Sequence, residues 1–462
     1  MLNTIQNGFD FFIGLGGAAM MFVIITLLSL AFRVSFSKAV EGGLRMATAL
    51  TGMSAVISLL TSAFGPSLKA FVESTGVSLS VTDLGWAPLA VITWGSVYTL
   101  YFALLAIITN LVMLFLKLTN TLNVDLFNIW NVSILGLIVN YFSNNNIFIT
   151  SIFVVIIIML MLFNADAIKP TIDQLLDYKP GNITTTAHPS LLVMPIVMIV
   201  NKLIDIVIPF VDKFDFDAET LNKKIGFWGS KFAIGAYLGV FIGVLGRQSV
   251  ADICTLAFTA GVSLELFAYV GNWFGPAIEP LSAGIERFMS SHLRGRKLFV
   301  AIDWPILASR AEIWAVANLL APIMLIIAMI LPGNKVLPLG GIILTVLTPA
   351  LLLVTKGRVI RMTIIGTVLV PIFLWAATAI GPFLTKTSAK MGNLPKGLGK
   401  GQLFSSIDSD PIEKLMGILI GSTAKTWDLK LILFSIIAIL IYAIVFIWYI
   451  KTMKSKKFRE VK

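Results

Sequence analysis

Leu431-Ile-Leu-Phe-Ser-Ile-Ile-Ala-Ile-Leu-Ile-Tyr-Ala-Ile-Val-Phe-Ile-Trp-Tyr-Ile450 is twenty residues without a charge, bounded by Lys430 and Lys451. As a helix it covers about 30 Å, the thickness of a bilayer's hydrocarbon core. Runs of the same kind lie at 11–32, 44–62, 89–116, 126–142, 147–163, 232–246, 253–283, 304–331, 336–355 and 359–381. The 462-residue chain is 57% hydrophobic and only 13% charged, against about 25% charged in soluble proteins. Ordinary cytosolic enzymes and disordered or fibrous proteins are excluded. The expected fold is an all-α polytopic membrane protein with about 11 transmembrane helices, in one membrane domain over 1–462.

The stretch 188–210 (HPSLLVMPIVMIVNKLIDIVIPF) is apolar but carries three prolines, Lys202 and Asp205. Irregular backbone survives at membrane depth only under cover of protein or beside a watery cavity, so a re-entrant hairpin is expected here. Eleven crossings place the termini on opposite sides. Cytoplasmic loops collect Lys and Arg, and a cytoplasmic C-terminus puts the basic segments Arg287–Lys297, Lys356–Arg361 and Lys451–Lys462 inside, with the N-terminus outside. The same rule accounts for the net charge of +11 without a nucleic-acid partner. The run 11–32 has no basic segment before it and is too long for a signal peptide core, so it reads as the first span.

Between the spans, 212–231 reads as an amphipathic surface element or a solvated connector, and the Gly- and Lys-rich 382–429 as a mobile outer loop. Gly235, Gly239 and Gly243 leave a groove into which another helix can pack. Cys254, the one cysteine, sits in an apolar stretch and is expected to be packed. It can form neither an internal disulfide nor a CxxC site.

GxxxxGK[ST], HExxH, CxxC and GxSxG are all absent, and the two histidines, His188 and His292, are too few for a multi-histidine metal site. No tightly bound cofactor or metal is expected. Energy for transport then comes from an ion gradient, a separate ATPase subunit, or a partner that modifies the substrate.

Polar groups within apolar stretches are costly and are therefore candidate functional sites. Asp125, Asn128 and Asn131 share one helical face, suited to hydrogen-bonding several hydroxyls beside Trp130, or Asn123 or Asp125 caps a helix start. Asp303 precedes Trp304-Pro305, with Arg310 and Glu312 following. These last two are two residues apart and cannot meet on one regular helix, so each needs a partner elsewhere or a helix broken between them. An ion pair across spans competes with a substrate or gating site. His188, beside a discontinuous helix, suits a ligand contact or proton movement, whereas His292 in a basic run reads as a solvated loop residue. Asp83-Leu84-Gly85-Trp86 and Thr93-Trp94 mark a break before a span, with the tryptophans as interface anchors or sugar-stacking surfaces.

These places carry a family resemblance. Asp83-x-Gly85-Trp86 with Thr93-Trp94, Asn123-Val124-Asp125-x2-Asn128-Ile129-Trp130, Pro332-Gly333-Asn334-x-Val336-Leu337-Pro338-x-Gly340, and Asp303 with Pro322 are similar to the galactitol-type permease, membrane component IIC, of the phosphotransferase system (PTS), in the ascorbate–galactitol superfamily. The chain departs from that pattern at His188-Pro189, Arg310 and Glu312, which leaves another alditol or a related sugar open beside galactitol.

The resemblance implies a multi-pass permease of the cytoplasmic membrane that takes up a polyol and releases it phosphorylated. The phosphoryl group comes from phosphoenolpyruvate through IIA and phospho-IIB, expected as separate proteins because no such domain is fused here. It further implies a homodimer with a core domain moving as an elevator against a dimerisation scaffold. Asp83, Trp86, Trp94, Asp125, Asn128, His188, Asp303, Arg310 and Glu312 become candidate substrate residues. His188 is also the candidate to orient or deprotonate the acceptor hydroxyl, and Arg294 and Arg296 are candidates for docking IIB. An ion-coupled secondary transporter and a scaffolding membrane protein are the rival classes.

Overall fold

The computed structural model describes residues 16–75, 79–125, 129–176, 182–187, 192–216, 230–274, 298–391, 401–408 and 410–455, with a few isolated positions between them. Helices α1 (Gly16–Ala31) and α2 (Phe36–Thr75) lead to strand β1 (Val81–Asp83), α3 (Ala87–Trp94), α4 (Val97–Phe115), β2 (Thr121–Asn123), α5 (Ile129–Phe142), α6 (Ile147–Leu175), β3 (Ile183–Thr185) and α7 (Val193–Val207). The same order then recurs. It runs α8 (Lys231–Leu245), α9 (Val250–Gly271), β4 (Phe299–Ile302), a 3-10 turn (Trp304–Leu307), α10 (Ala311–Ile330), β5 (Val336–Leu337), α11 (Thr348–Thr355), α12 (Val359–Lys390), β6 (Leu403–Ser405) and α13 (Pro411–Thr426). The offset is 215 residues from Thr121 to Val336 and 220 from Ile183 to Leu403. Helix α14 (Leu429–Lys454) follows outside the repeat.

The strands form two parallel sheets, ordered β5-β1-β6 and β2-β4-β3. Each repeat thus gives the central strand of one sheet and both edges of the other, so neither half completes a sheet alone. The strands are two to four residues long and rich in β-branched Val, Ile and Thr, which suit a pleated, packed backbone. Their ladders satisfy backbone groups at the breaks between helices, a necessity wherever the chain is not helical in an apolar interior.

Helices α8 and α9 pack most closely, as the glycine stripe predicts. A Cβ at Gly235, Gly239 or Gly243 would run into Ala260, Ala257 or Ile253 of α9. Helices α1 and α2 form the matching pair, and α2 also packs on α8 and α9. The first sheet packs on α12, while α5 packs on α3 of its own repeat and on α13 of the other.

Among the described residues, five helices are long and apolar enough to cross a membrane: α4, α6, α10, α12 and α14. In α14 only 11% of the most apolar window is buried, as befits a helix facing lipid. Several expected spans are broken or absent. The run 89–116 divides at Gly95–Ser96, where the Ser96 side chain accepts from Tyr98 N to start α4. The run 336–355 is β5, an irregular stretch and the eight-residue α11 rather than a crossing. Described residues of 188–210 form one helix, α7, followed by a 3-10 turn over Pro209–Lys213, and not a hairpin. The expected outer loop 382–429 is taken up by the end of α12, by β6 and by α13. Cys254 lies exposed on α9 instead of packed.

Candidate functional site

Parallel strands end side by side, so the residues following each strand of β2-β4-β3 converge. Edge strand β2 is fixed from two helices. Asp166 of α6 accepts from Thr119 Oγ1 and Thr121 Oγ1, both at 2.8 Å, and from Asn120 N at 3.1 Å. Asn110 of α4 donates to Thr121 O at 2.8 Å and accepts from Asn123 N at 2.9 Å. The ladder continues as Val124 N donates to Ala301 O, and Asn123 Oδ1 then accepts from Asp125 N at 3.0 Å. On the far edge, Thr184 Oγ1 donates to Ala165 O at 2.8 Å.

Two crevices meet at Asp125, which is 3% exposed. One is lined by Asn123, Asp125, Thr186 and Ala187 together with apolar side chains of α5 and α6. The other lies between Asp125, Ile302 and Asp303 and the apolar Met21, Met46 and Phe274, and both are narrow. Asp303 accepts from Trp304 N at 2.8 Å. Thr186 Oγ1 is buried with no hydrogen-bond partner among the described residues. The first crevice thus sets Asn123, Asp125 and Thr186 against an apolar wall, whereas the surface of the second is almost wholly apolar; a few polar groups on an apolar wall are the usual lining of a small-molecule site.

The other sheet end is closed. Asp83 is fully buried, and its Oδ1 accepts from Gly85 N at 3.0 Å and Ile407 N at 3.1 Å. Its Oδ2 accepts from Leu339 N at 3.2 Å and Gly341 N at 2.6 Å. Gly85 (φ +72°) and Gly340 approach so closely that a Cβ on Gly340 would overlap Gly85 N. Asp83 is thereby committed to the backbone. Around it lie Asp408, Asp410, Glu413 and Lys414, all buried. In the loop between β6 and α13, burial pushes the Asp408 carboxyl up to about 7, aided by the charge of Asp83 and opposed by Lys414 and by the N–H of Trp86. Burial likewise pushes Asp410 up to about 6 against the pull of Lys414.

The remaining candidates separate. Trp86 is about half exposed and stacks on Trp130 with ring centroids 5.9 Å apart. Trp94 ends α3. Arg310 and Glu312 do meet, because α10 begins between them and Arg310 stays extended (φ −80°, ψ 117°). Nη2 lies 2.7 Å from Oε1 and Nε 3.2 Å from Oε2, while Nη1 donates to Leu175 O at 3.0 Å. This pair ties α10 to the end of α6 and lines neither crevice. Lys202 and Asp205 pair near the exposed end of α7, where Asp205 and Asp212 also hold the buried Arg361. Asn128, His188, His292, Arg294 and Arg296 lie outside the described residues, as does the side chain of Trp94.

Sequence reading missed Asp408, Asp410, Glu413 and Lys414. The available signal was Asp410-Pro411, a polar residue before proline at the first helical position, which marks a helix start. The motif Pro332-Gly333-Asn334 is a turn: Asn334 Nδ2 donates to Ala328 O and Val336 O, and Oδ1 accepts from Val336 N and Thr378 Oγ1, launching β5.

Residues 11–397 match the EIIC-GAT family, described as the PTS system sugar-specific permease component. A PTS galactitol-specific EIIC component of Escherichia coli (strain K12) is 25% identical over 388 residues, covering 84% of this chain and 85% of the relative. Its counterpart from Escherichia coli O157:H7 matches to the same extent. A further strain K12 protein, whose name says permease IIC component and no substrate, is 26% identical over 385 residues, 83% of this chain and 87% of the relative.

Proposed function

The chain belongs to the EIIC-GAT family of PTS sugar-specific permease components, and from that membership we propose that it carries a polyol, galactitol first among them, across the cytoplasmic membrane coupled to phosphorylation by a separate phospho-IIB. The observation that carries the reading is Asp125, shared by two crevices that also hold Asn123, Thr186 and Asp303. An uncharged polyol needs a partner for each hydroxyl it buries, since an unmatched one costs about 1–3 kcal/mol. Carboxylates accept from hydroxyls, Thr186 offers a hydroxyl, and the methionines and Phe274 face the carbon chain.

Phosphoryl transfer depends chiefly on placing the attacking oxygen in line and steadying developing charge. In this scheme Asp125 and Asp303 orient the acceptor hydroxyl from the crevices, and His188 takes its proton. The phosphoryl donor is phospho-IIB, charged from phosphoenolpyruvate through IIA, with Arg294 and Arg296 in its docking loop. The same reading makes the protein a homodimer in which α1, α2, α8 and α9 are the scaffold and the sheet-bearing bodies move. An inside C-terminus is supported by Lys356, whose ammonium lies 5.2 Å from the Phe458 ring, so two basic segments share one end of the molecule.

The test is uptake of radiolabelled galactitol by vesicles supplied with phosphoenolpyruvate and the soluble components, with free and phosphorylated product separated. Phosphorylated product that disappears when IIB is omitted is expected. Free galactitol that follows an ion gradient would assign the chain to secondary transport instead.

A further inference from the structure

The second crevice has two walls of different make. One is the open sheet end, with Asp125 and Asp303. The other is apolar and comes from the helix pairs that precede the strands of each repeat: Met21 of α1, Met46 and Leu50 of α2, and Phe274 just past the end of α9. Met21, Met46 and Phe274 are buried.

The backbone behind this apolar wall cannot retreat. Helices α1 and α2 touch at Gly43, where a Cβ would lie 2.3 Å from Thr26 Oγ1 and 2.7 Å from Phe22 O. At Gly52 a Cβ would lie 3.2 Å from the side chains of Trp273 and Val270, so α2 is also set closely against the end of α9. Met46 and Leu50 fall between these two contacts in the chain, and interiors packed at this density yield little. The crevice is too narrow for a polyol as its side chains stand. Room for a carbon chain therefore comes from side chains, and methionine, unbranched and flexible, gives way most readily.

We propose that Met21, Met46 and Phe274 set the length of the polyol that the protein accepts. The hydroxyls are held from the carboxylate wall, and the carbon chain runs along the methionines, which fold back far enough for one chain length. An apolar wall of this kind discriminates by fit, by about tenfold or more for a carbon too many. The inference rests on the polyol reading given above and deepens it.

The experiment measures phosphorylated uptake of a linear series, from tetritol to octitol, by vesicles supplied with phosphoenolpyruvate and the soluble components. The readout is kcat/KM for the polyol one carbon longer than the unaltered protein's best substrate, divided by that for the best substrate itself. Met46→Ala should raise this ratio by about tenfold, and Met46→Leu, which keeps the bulk, should leave it within about twofold. A partly unfolded variant lowers both rates together, so lost stability alone does not move the ratio. An unmoved ratio in an active Met46→Ala protein overturns the proposal and leaves polyol transport standing. Absence of phosphorylated product at every chain length in the unaltered protein overturns the transport reading and this inference with it. Should Met46→Ala fail to accumulate, Met21→Ala, from the neighbouring helix, must raise the ratio. If it does not, or if it too fails to accumulate, the proposal falls.

Discussion

The two sheets are built alike and finish differently. In β5-β1-β6 the acid at the end of the central strand is consumed by four backbone donors from three separate chain segments. In β2-β4-β3 the acids after the strands, Asp125 and Asp303, line crevices. The strand registers make the contrast specific. Val336 pairs with Val81 in one sheet and Thr121 with Phe299 in the other, so four residues on from each edge residue stand Gly340 and Asp125. Where the sheet end is closed the position has room for glycine alone. Where it is open the same position carries a carboxylate. A duplicated framework thus yields one end whose acid holds the backbone together and one whose acids line crevices.

The largest effect should come from Asp83→Ala. Each buried donor left unmet costs about 1–3 kcal/mol, and four are released together, so a loss on the order of 4 kcal/mol or more should keep the variant from accumulating in the membrane. An Asp83→Ala protein with ordinary stability and lost uptake would reverse the assignment of the two ends. Asp125→Asn should do the opposite. The isosteric amide can keep the fold, while phosphorylated uptake should fall tenfold or more, equivalent to about 1.4 kcal/mol. Unfolding temperature and uptake measured on both variants decide whether the roles are separate.

Gly340→Ala sharpens the register argument. The added methyl meets Gly85 N and the Leu84 backbone, and overpacking of this kind costs about 1–3 kcal/mol. Its unfolding temperature should drop, with the activity of the remaining folded protein retained. Equal stability to the parent would mean the closed end has slack.

How far each end was legible follows from the same difference. At the open end Asn123-Val124-Asp125 and Asp303 stand out in the sequence because they border apolar runs, where polar groups are costly. The closed end is hidden from the sequence. Asp83 reads as a candidate ligand contact because three of its four backbone partners, Leu339, Gly341 and Ile407, lie more than 250 positions away. Residues 408–414 fall within the stretch that reads as a mobile outer loop, because what buries their charges is tertiary. The repeat itself left no trace in hydropathy, since strands of two to four residues vanish within a window long enough to detect a span. For Arg310 and Glu312 the spacing leaves a partner elsewhere or a helix broken between them, and the structure takes the second, since α10 begins there.

The closed end should also register pH. Asp408 is raised to about 7 and Asp410 to about 6 in the folded protein, from an ordinary 3.8. The folded state therefore holds protons that the unfolded chain has released, and stability should decline as pH rises from about 4 through 7. Asp408→Asn should flatten that slope, whereas Asp125→Asn should leave it in place. An unaltered slope in Asp408→Asn would take the proton away from this carboxyl.

The smallest effect concerns the contact that joins the two ends. Trp86 is the cap residue of α3, which follows β1 of the closed sheet, and Trp130 is in the first turn of α5, which follows β2 of the open one. Their rings stack at 30°, with Trp130 buried and Trp86 about half exposed. Trp86→Phe keeps an aromatic face, and the pair is worth only about 0.5–1.5 kcal/mol beyond its buried area. The unfolding temperature should therefore move by no more than a degree or two. If the exposed face of Trp86 guides substrate, the same variant should raise the KM for uptake while leaving the maximal rate alone. An unchanged KM would confine Trp86 to packing and leave the open end to work without help from the closed one.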